Sequence, residues 1–400
     1  MKLRLADRMS RMGTETAFEV AARARALEAT GKPIIHLEIG EPDFDTPAHV
    51  RQEAARALDE GYTHYSNSTG IIELREAIAE YAGRNRALKF DAANVVVTPG
   101  AKPIMFYAIM ALVEEGEEVI YPNPGFPIYE SMINFLGGTA VPLQLSERND
   151  FRIDLDELES KVSDKTRLII FNSPHNPTGG VLTRDDLKAI ADLAVRHDIM
   201  VLADEIYSEI VYEGEHHTIL SFPGMAERTI LLDGFSKTFA MTGWRLGYGI
   251  FPPEMVPHIS RLIINSVSCT STFSQRAAIA ALTGPRDEVD NMLKAFTERR
   301  ELVYEGLNRI PGLRCNHPAG AFYAFPNITD TGMDSRAYAD YLLNEADVAV
   351  LPGTSFGAFG EGYIRISFAN SAENLREAMR RIDQANRRLP ALTAEAGAAK

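Results

Sequence analysis

DGFSKTFAMTGWRLGYG (233–249) is the stretch on which the interpretation of this sequence depends. Two short apolar runs overlap its ends, TILLD (229–233) and LGYGI (246–250), and they predict two strands of a buried sheet. Lys237 lies in the serine-, threonine- and glycine-rich turn between them. Burying an ammonium group is costly unless its pKa falls, and a lysine that forms a Schiff base needs that lowered pKa. Ser236 and Arg245 nearby would suit a phosphate-bearing aldehyde, although this stretch alone is equally compatible with a lysine in a surface loop.

Composition narrows the class of protein. The chain has 400 residues, 45% of them hydrophobic and 24% charged, as in ordinary globular proteins. A formal net charge of −14 disfavours nucleic acid and anionic membranes as partners. The two cysteines, Cys269 and Cys315, have no metal-like spacing, so we expect no disulfide framework and no metal site. With neither a secretory signal nor a run long enough to span a membrane, we expect a cytoplasmic protein.

Apolar runs and helical patterns alternate through the middle of the chain. Continuous apolar strands separated by helices indicate a mostly parallel sheet covered on both faces, which is an α/β fold. Seven such strands are predicted: NVVVT (94–98), EVIYP (118–122), TAVPLQL (139–145), RLIIFN (167–172), IMVLADE (199–205), TILLD (229–233) and LGYGI (246–250).

The pattern changes near residue 285, after which a long charged helix and shorter strands indicate a smaller α+β domain. We therefore divide the chain into a large domain (47–285) and a small domain (286–388). An N-terminal arm (1–46) is expected to pack with the small domain, and the small, polar end (389–400) is expected to fray.

Ligands of parallel sheets bind beyond the carboxyl ends of the strands, so the residues that follow each strand are candidates for a site. Gly100, Ala101 and Lys102 begin a helix whose free N–H groups would hold a phosphate, although a turn glycine needs no ligand. Asp204 ends an apolar strand and needs a cationic partner, such as a protonated ring nitrogen, unless it caps a helix. Tyr207 could reach the same ligand.

Three further candidates lie farther along the chain. Asn176, between two prolines, could donate to a ligand oxygen or form an ordinary Asx turn. Phe126 could stack on a ring or belong to the core. Arg365 lies inside the apolar strand YIRISFA. If it is buried, it would form a bidentate pair with a carboxylate; at an exposed edge it would indicate no binding site.

Together these residues resemble the fold-type-I pyridoxal-phosphate enzymes, and most closely the bacterial aspartate-aminotransferase-like branch of the class I aminotransferases. The resemblance covers residues 17–382. The motifs that carry it are IGEPDFDTP (39–47), SPHNPTGG (173–180), ADEIY (203–207), FSKTFAMTGWRLGY (235–248) and LPGTSFG (351–357).

The resemblance implies a role for each residue around pyridoxal 5'-phosphate (PLP). Lys237 would form the Schiff base and carry the proton from the substrate α-carbon. Asp204 would pair with the pyridinium nitrogen, which keeps the ring an electron sink. Tyr207 and Asn176 would bond the phenolic oxygen, and Phe126 would stack on the ring. The phosphate would be held by the helix start at Gly100, Ala101 and Lys102, together with Ser236 and Arg245.

The resemblance also implies substrate and subunit contacts. Arg365 would clamp the substrate α-carboxylate, with help from Asn176 and the backbone at Gly40. Tyr65, in YTHYSNSTG, matches a tyrosine that reaches the phosphate of the neighbouring subunit, so a homodimer with shared active sites is expected.

Two departures from the family concern the substrate. The first is PNPGFPIY (122–129), where relatives specific for dicarboxylates read closer to PxPYWVSY, and the second is at the start of the helix that follows NVVVT. Relatives specific for dicarboxylates often read GGKQ where this chain reads GAKP (100–103), and their lysine can reach a distal carboxylate with help from a small hydroxyl residue. Lys102 keeps that lysine, but Glu15 stands near the hydroxyl position. Glu15 could neutralise Lys102 or select a cationic or neutral side chain, which puts aspartate specificity in doubt.

The resemblance thus implies a PLP-dependent transferase that moves an amino group from an L-amino acid to a 2-oxo acid by a ping-pong mechanism. The alternatives are a PLP-dependent lyase or cyclase acting on a specialised amino acid, and a binding domain without turnover.

Overall fold

The computed structural model of the protein describes residues 3–390 and 392. Its helices are α1 (Ala17–Glu28), α2 (Ala48–Asp59), α3 (Ile72–Arg86), α4 (Lys102–Leu112), α5 (Ile128–Leu136), α6 (Leu155–Lys161), α7 (Arg184–Arg196), α8 (Val256–Ser266), α9 (Thr272–Thr283), α10 (Asp287–Arg309), α11 (Ser335–Glu345) and α12 (Ala372–Asn386). Its strands are β1 (Ile35–His36), β2 (Val95–Thr98), β3 (Glu118–Asn123), β4 (Thr139–Gln144), β5 (Thr166–Asn172), β6 (Met200–Asp204), β7 (Thr229–Gly234), β8 (Gly247–Ile250), β9 (Tyr323–Ala324), β10 (Val348–Ala349), β11 (Leu351–Pro352) and β12 (Ile364–Ser367).

The described residues form a central seven-stranded sheet in the order β2-β8-β7-β6-β5-β3-β4. Strands β4, β3, β5, β6 and β7 pair in parallel, whereas β8 runs antiparallel to both β7 and β2. The prediction of a mostly parallel, seven-stranded α/β sheet is therefore confirmed, and no strand end differs from its predicted position by more than one residue.

Strand β5 shows why these runs became strands buried on both faces. Leu168 and Ile170 pack with the core that includes residues of α4, α5 and α8, while Ile169 and Phe171 pack on the opposite face with α7. Successive side chains of a strand point to opposite faces, so a strand covered by helices on both sides must be apolar throughout.

A smaller α+β unit follows α9. It contains a three-stranded antiparallel sheet in the order β11-β12-β9 and one apolar core shared by α10, α11 and α12. The domain boundaries at residues 47, 285 and 388 stay predictions.

The contacts of the N-terminal arm are divided between the two units. Strand β1 pairs in parallel with β10, and Ala24 of α1 packs with Leu343 and Ala349 of the small unit. Nearer the N-terminus, the backbone N–H of Gly13 donates to Ser131 Oγ of α5, in the large unit. The tail predicted for 389–400 lies outside the described residues, apart from 389, 390 and 392. Within the described ranges, no helix is both long and apolar enough to cross a membrane.

Candidate active site

A cavity of about 580 Å³ opens at the carboxyl ends of the parallel strands. Except for Gly100 and Tyr65, it is lined by the residues that the sequence predicted for the site: Glu15, Gly40, Ala101, Lys102, Phe126, Asn176, Asp204, Tyr207, Ser236, Lys237, Arg245 and Arg365. Side chains from residue 15 to residue 365 thus converge on one space, as the topology of a parallel sheet favours.

Lys237 lies in the loop between β7 and β8 and points into this cavity. Its Nζ donates a hydrogen bond to the carbonyl of Gly40 at 2.6 Å and lies 5.8 Å from the centre of the Tyr207 ring. Desolvation lowers the pKa of Lys237 to about 8, and the charge of Arg365 acts in the same direction. More of the amine is therefore neutral, and able to act as a nucleophile, near physiological pH than in an ordinary lysine.

Asp204 ends β6 and is buried beneath the cavity. Its Oδ2 accepts a hydrogen bond from the hydroxyl of Tyr129 at 2.6 Å, and its Oδ1 accepts one from the N–H of Ile206 at 3.2 Å. Burial raises the pKa of Asp204 to about 6. Among the described residues, no basic side chain forms an ion pair with it, so the carboxylate suits a cationic group of a ligand.

The start of α4 and Arg245 form a cradle suited to an anion. Gly100 has φ 84°, and a Cβ at this position would run into the guanidinium of Arg245. The backbone of Arg245 is also in the left-handed region, with φ 54°, and its NH1 donates to the carbonyl of Thr242 at 2.7 Å. Ala101 caps α4 without a side-chain hydrogen bond. Pro103 has no N–H and that of Ile104 donates to the carbonyl of Ala101 at 3.0 Å, so the N–H groups of Ala101 and Lys102 are the ones suited to a phosphate.

Arg365 lies on β12 and is buried. Its NH1 donates to Asn176 Oδ1 at 3.0 Å, and its guanidinium stacks 4.5 Å from the centre of the Tyr323 ring. The hydroxyl of Tyr323 is 2.8 Å from that of Tyr207. Tyr207 and Asn176 are therefore linked to the predicted carboxylate-binding arginine as well as facing the cavity.

Glu15 and Lys102 form an ion pair in the wall of the cavity. The side chain of Glu15 is 17% exposed and that of Lys102 44% exposed, so the pair is partly shielded from solvent. Lys102 Nζ also lies 5.4 Å from the centre of the Phe126 ring.

Tyr65 lies away from the cavity of its own chain, and the residue is 89% exposed. Its loop is joined to the helices next to it, because the hydroxyls of Ser68 and Ser260 are 3.0 Å apart and Thr272 Oγ1 donates to the carbonyl of His64 at 2.7 Å.

Two tyrosines of the site were missed by the sequence reasoning. Tyr129 lies in the first turn of α5, three residues after Phe126, and this closeness in sequence to a predicted site residue could have drawn attention to it. Tyr323 lies in a two-residue strand of the small unit, and no local pattern marks it as a partner of Tyr207.

This fold and this site define a fold-type-I enzyme that uses pyridoxal 5'-phosphate. The residues present fit the cofactor, because one cavity is lined by an amine of lowered pKa, an anion cradle and a buried carboxylate that has no ion-pair partner in the described part of the chain. A family model described as aminotransferase class I and II matches residues 32–382, and the chain belongs to this family.

Named relatives agree with this assignment. The chain is 43% identical to aromatic-amino-acid aminotransferase 2 of Thermococcus litoralis over 384 residues, which is 95% of this chain and 97% of the relative. It is 45% identical to the aspartate aminotransferase of Pyrococcus abyssi over 357 residues, which is 88% of this chain and 92% of the relative.

Solved structures agree as well. The aspartate aminotransferase of Thermus thermophilus with maleate superposes with a TM-score of 0.92 at 37% identity, covering 96% of this chain and all of that one. The aromatic aminotransferase of Pyrococcus horikoshii gives 0.86 at 44% identity, covering 90% and 98%. The protein is thus a PLP-dependent amino acid aminotransferase that acts on amino acids and 2-oxo acids, and the lyase or cyclase alternative is not favoured.

Proposed function

We propose that this aminotransferase prefers amino donors with neutral side chains, aromatic ones included, over aspartate and glutamate. The observation that carries the proposal is the ion pair between Glu15 and Lys102 in the cavity wall. Lys102 is the cation that would meet a distal carboxylate, and its charge is already neutralised. A dicarboxylic donor would have to displace Glu15 or bind beside it, and both arrangements bring like charges together.

The apolar surroundings of this pair support the same preference. Phe126 lies under the ammonium of Lys102, and Phe18 lines the cavity beside Glu15. Aromatic rings offer a side-chain ring both apolar area and edge-to-face contacts. Among the relatives, both aspartate and aromatic aminotransferases occur, so family membership alone leaves the donor open.

We assign the chemical steps to residues of the cavity. Arg365 binds the α-carboxylate of the donor through its planar guanidinium and so orients the α-carbon toward Lys237. Lys237 Nζ, neutral in part because its pKa is lowered, accepts the proton from that α-carbon. Bound PLP supplies the electron sink that makes this proton acidic. Asp204 would stabilise a cationic ring nitrogen of the bound cofactor, and Tyr207 and Asn176 would provide polar contacts to its ring.

We further propose a cytoplasmic homodimer with shared active sites. Tyr65 is a large, exposed residue on a loop hydrogen-bonded to α8, and Ile264 of α8 and Val267 directly after it are exposed to solvent. Exposed apolar residues on adjoining elements are typical of an interface between subunits. A monomer by sedimentation at assay concentration would contradict this proposal.

A donor panel tests the substrate proposal. The holoenzyme is assayed with phenylalanine, leucine, lysine, aspartate and glutamate against pyruvate, and kcat/KM is compared at a fixed acceptor concentration. We expect the neutral donors to exceed aspartate. An enzyme for which aspartate ranks first would overturn the proposed preference, while its membership of the family would stand.

A further inference from the structure

Tyr129 contacts two of the groups that line the cavity. The residue is fully buried in the first turn of α5. Its hydroxyl donates to Asp204 Oδ2 at 2.6 Å, and its ring packs edge-on against Phe126, with centroids 5.7 Å apart and an interplanar angle of 78°. One side chain therefore touches both the carboxylate and the aromatic face of the site.

The charges around Asp204 oppose its ionisation. Burial is the largest effect, and the neighbouring carboxylates of Asp233 and Glu205 add to it. Arg86 offsets those two carboxylates, because its Nε donates to Glu205 Oε2 and its NH2 to Asp233 Oδ2, both at 2.7 Å. Arg86 makes no hydrogen bond to Asp204 itself.

The groups that stabilise the charged form of Asp204 are few. Tyr129 donates to one carboxylate oxygen and the N–H of Ile206 to the other. Tyr207 is close enough to Asp204 for their charges to interact, but its hydroxyl forms a hydrogen bond with that of Tyr323 instead. The ammonium of Lys237 is bonded to the carbonyl of Gly40. The hydroxyl of Tyr129 is thus the side-chain donor to Asp204 among the described residues.

We propose that Tyr129 is a positioning residue whose hydroxyl holds Asp204 ionised and aimed into the cavity, while its ring supports Phe126. The proposal rests on the roles of Asp204 and Phe126 in the proposed function. It goes beyond those roles because it assigns to Tyr129, a residue outside the cavity, control over the charge of Asp204 and the position of the Phe126 ring.

Removing the hydroxyl has a consequence that depends on pH. In Tyr129→Phe, Oδ2 of Asp204 loses its donor, and a buried carboxylate that keeps only the N–H of Ile206 shifts toward its protonated form. A protonated Asp204 gives no charge to a ring nitrogen. The loss of cofactor affinity should therefore be largest at low pH and should shrink as the pH rises and Asp204 ionises.

The experiment uses the full chain, freed of cofactor, and pyridoxamine 5'-phosphate as the probe. This form of the cofactor carries no aldehyde and cannot bond covalently to Lys237, so its Kd reports the other contacts. Kd is measured between pH 5.5 and 8.5 for the wild type, Tyr129→Phe and the control Tyr121→Phe, a buried tyrosine of β3 that does not line the cavity. We expect Tyr129→Phe to raise Kd by about 10- to 100-fold near pH 7, the range for losing a hydrogen bond to a charged group.

A second variant separates the two parts of the proposal. Tyr129→Leu also removes the ring, so we expect a further loss of affinity that is the same at every pH, because Phe126 carries no charge. The infrared band of a protonated carboxyl group, absent in Asp204→Asn, should appear at higher pH in Tyr129→Phe than in the wild type. Near-ultraviolet circular dichroism checks that each variant is folded.

The outcomes distinguish this proposal from the one on which it rests. If Asp204→Asn binds the probe as tightly as the wild type, the assigned role of Asp204 is wrong. If Asp204→Asn binds weakly while Tyr129→Phe keeps the wild-type Kd at every pH, Asp204 acts without Tyr129 and the present proposal is overturned.

Discussion

The substitution Glu15→Gln removes one negative charge from the cavity wall and keeps the shape of the side chain. In the wild type, the carboxylate of Glu15 pairs with the ammonium of Lys102. Without that charge, Lys102 is free to bind the distal carboxylate of aspartate or glutamate. We expect kcat/KM for aspartate to rise relative to phenylalanine.

The size of the effect follows from the geometry of the pair. A distal carboxylate that shares the ammonium of Lys102 would lie roughly 5 Å from that of Glu15. With an effective dielectric constant of about 40, between surface and bulk values, the repulsion is about 1.7 kcal/mol, or about fifteen-fold in kcat/KM. The side chains are 17% and 44% exposed, so a value near that of a deeply buried pair would be too large.

The assay compares kcat/KM for aspartate and phenylalanine with 2-oxoglutarate at low and high salt. Glu19→Gln is the matched control, because Glu19 is an exposed acid of the first turn of α1 that loses the same charge outside the cavity. We expect the aspartate-to-phenylalanine ratio to rise in Glu15→Gln, less so at high salt, and to stay constant in Glu19→Gln. An unchanged ratio in Glu15→Gln would refute the placement of Glu15 in the side-chain pocket.

Three further predictions concern the amine, the phosphate cradle and a buried histidine. Lys237→Ala should lose the visible absorbance of the Schiff base and slow transamination by about 100-fold or more, as measured by spectroscopy and by initial rates. Gly100→Ala should weaken PLP binding as well as strain the backbone, because its Cβ meets Arg245. In the control Gly116→Ala, φ is nearly the same (83° against 84°) but the Cβ enters open space, so only the stability of the protein should change. PLP titration measures the first effect and thermal melting the second. Burial lowers the pKa of His175 to about 3, so between pH 6.5 and 3 the unfolded chain binds a proton that the folded chain does not, and the free energy of unfolding falls as the pH falls. In urea unfolding, His175→Gln should reduce the slope of this free energy against pH by up to about 1.4 kcal/mol per pH unit. An unchanged slope would contradict the assigned pKa.

The sheet could be predicted from the sequence because the pattern of each buried strand is contained in a few consecutive residues. A strand covered on both faces is apolar at every position, and TRLIIFN and its counterparts carry that signal within six or seven residues. The edge at which the ligand binds follows from the parallel topology, so the convergence of Asp204 and Lys237 could be predicted as well.

The pairings inside the site could not be predicted in the same way. The hydroxyl of Tyr129 meets Asp204 across 75 positions of sequence, and that of Tyr207 meets Tyr323 across 116. Such contacts depend on how helices and the small unit pack on the sheet, and a tyrosine bound for a buried polar partner looks like any other core aromatic residue in the sequence. Only the resemblance to a family brought Glu15 near Lys102, which is an ion pair of distant residues of the same kind.

The balance of charges in the cavity extends the argument from the Glu15–Lys102 pair to the other cations of the site. The chain as a whole has a net charge of −14, yet the charged residues that line the cavity are Lys102, Lys237, Arg245 and Arg365 against Glu15, Glu41 and Asp204. Lys102 is neutralised by Glu15, and the proposed mechanism assigns Lys237 to the Schiff base. Among the described residues, Arg245 and Arg365 are then the lining cations left for anions of the ligands. One suits the phosphate of PLP and the other the α-carboxylate of the donor, so a second carboxylate finds no cation until Glu15 is removed.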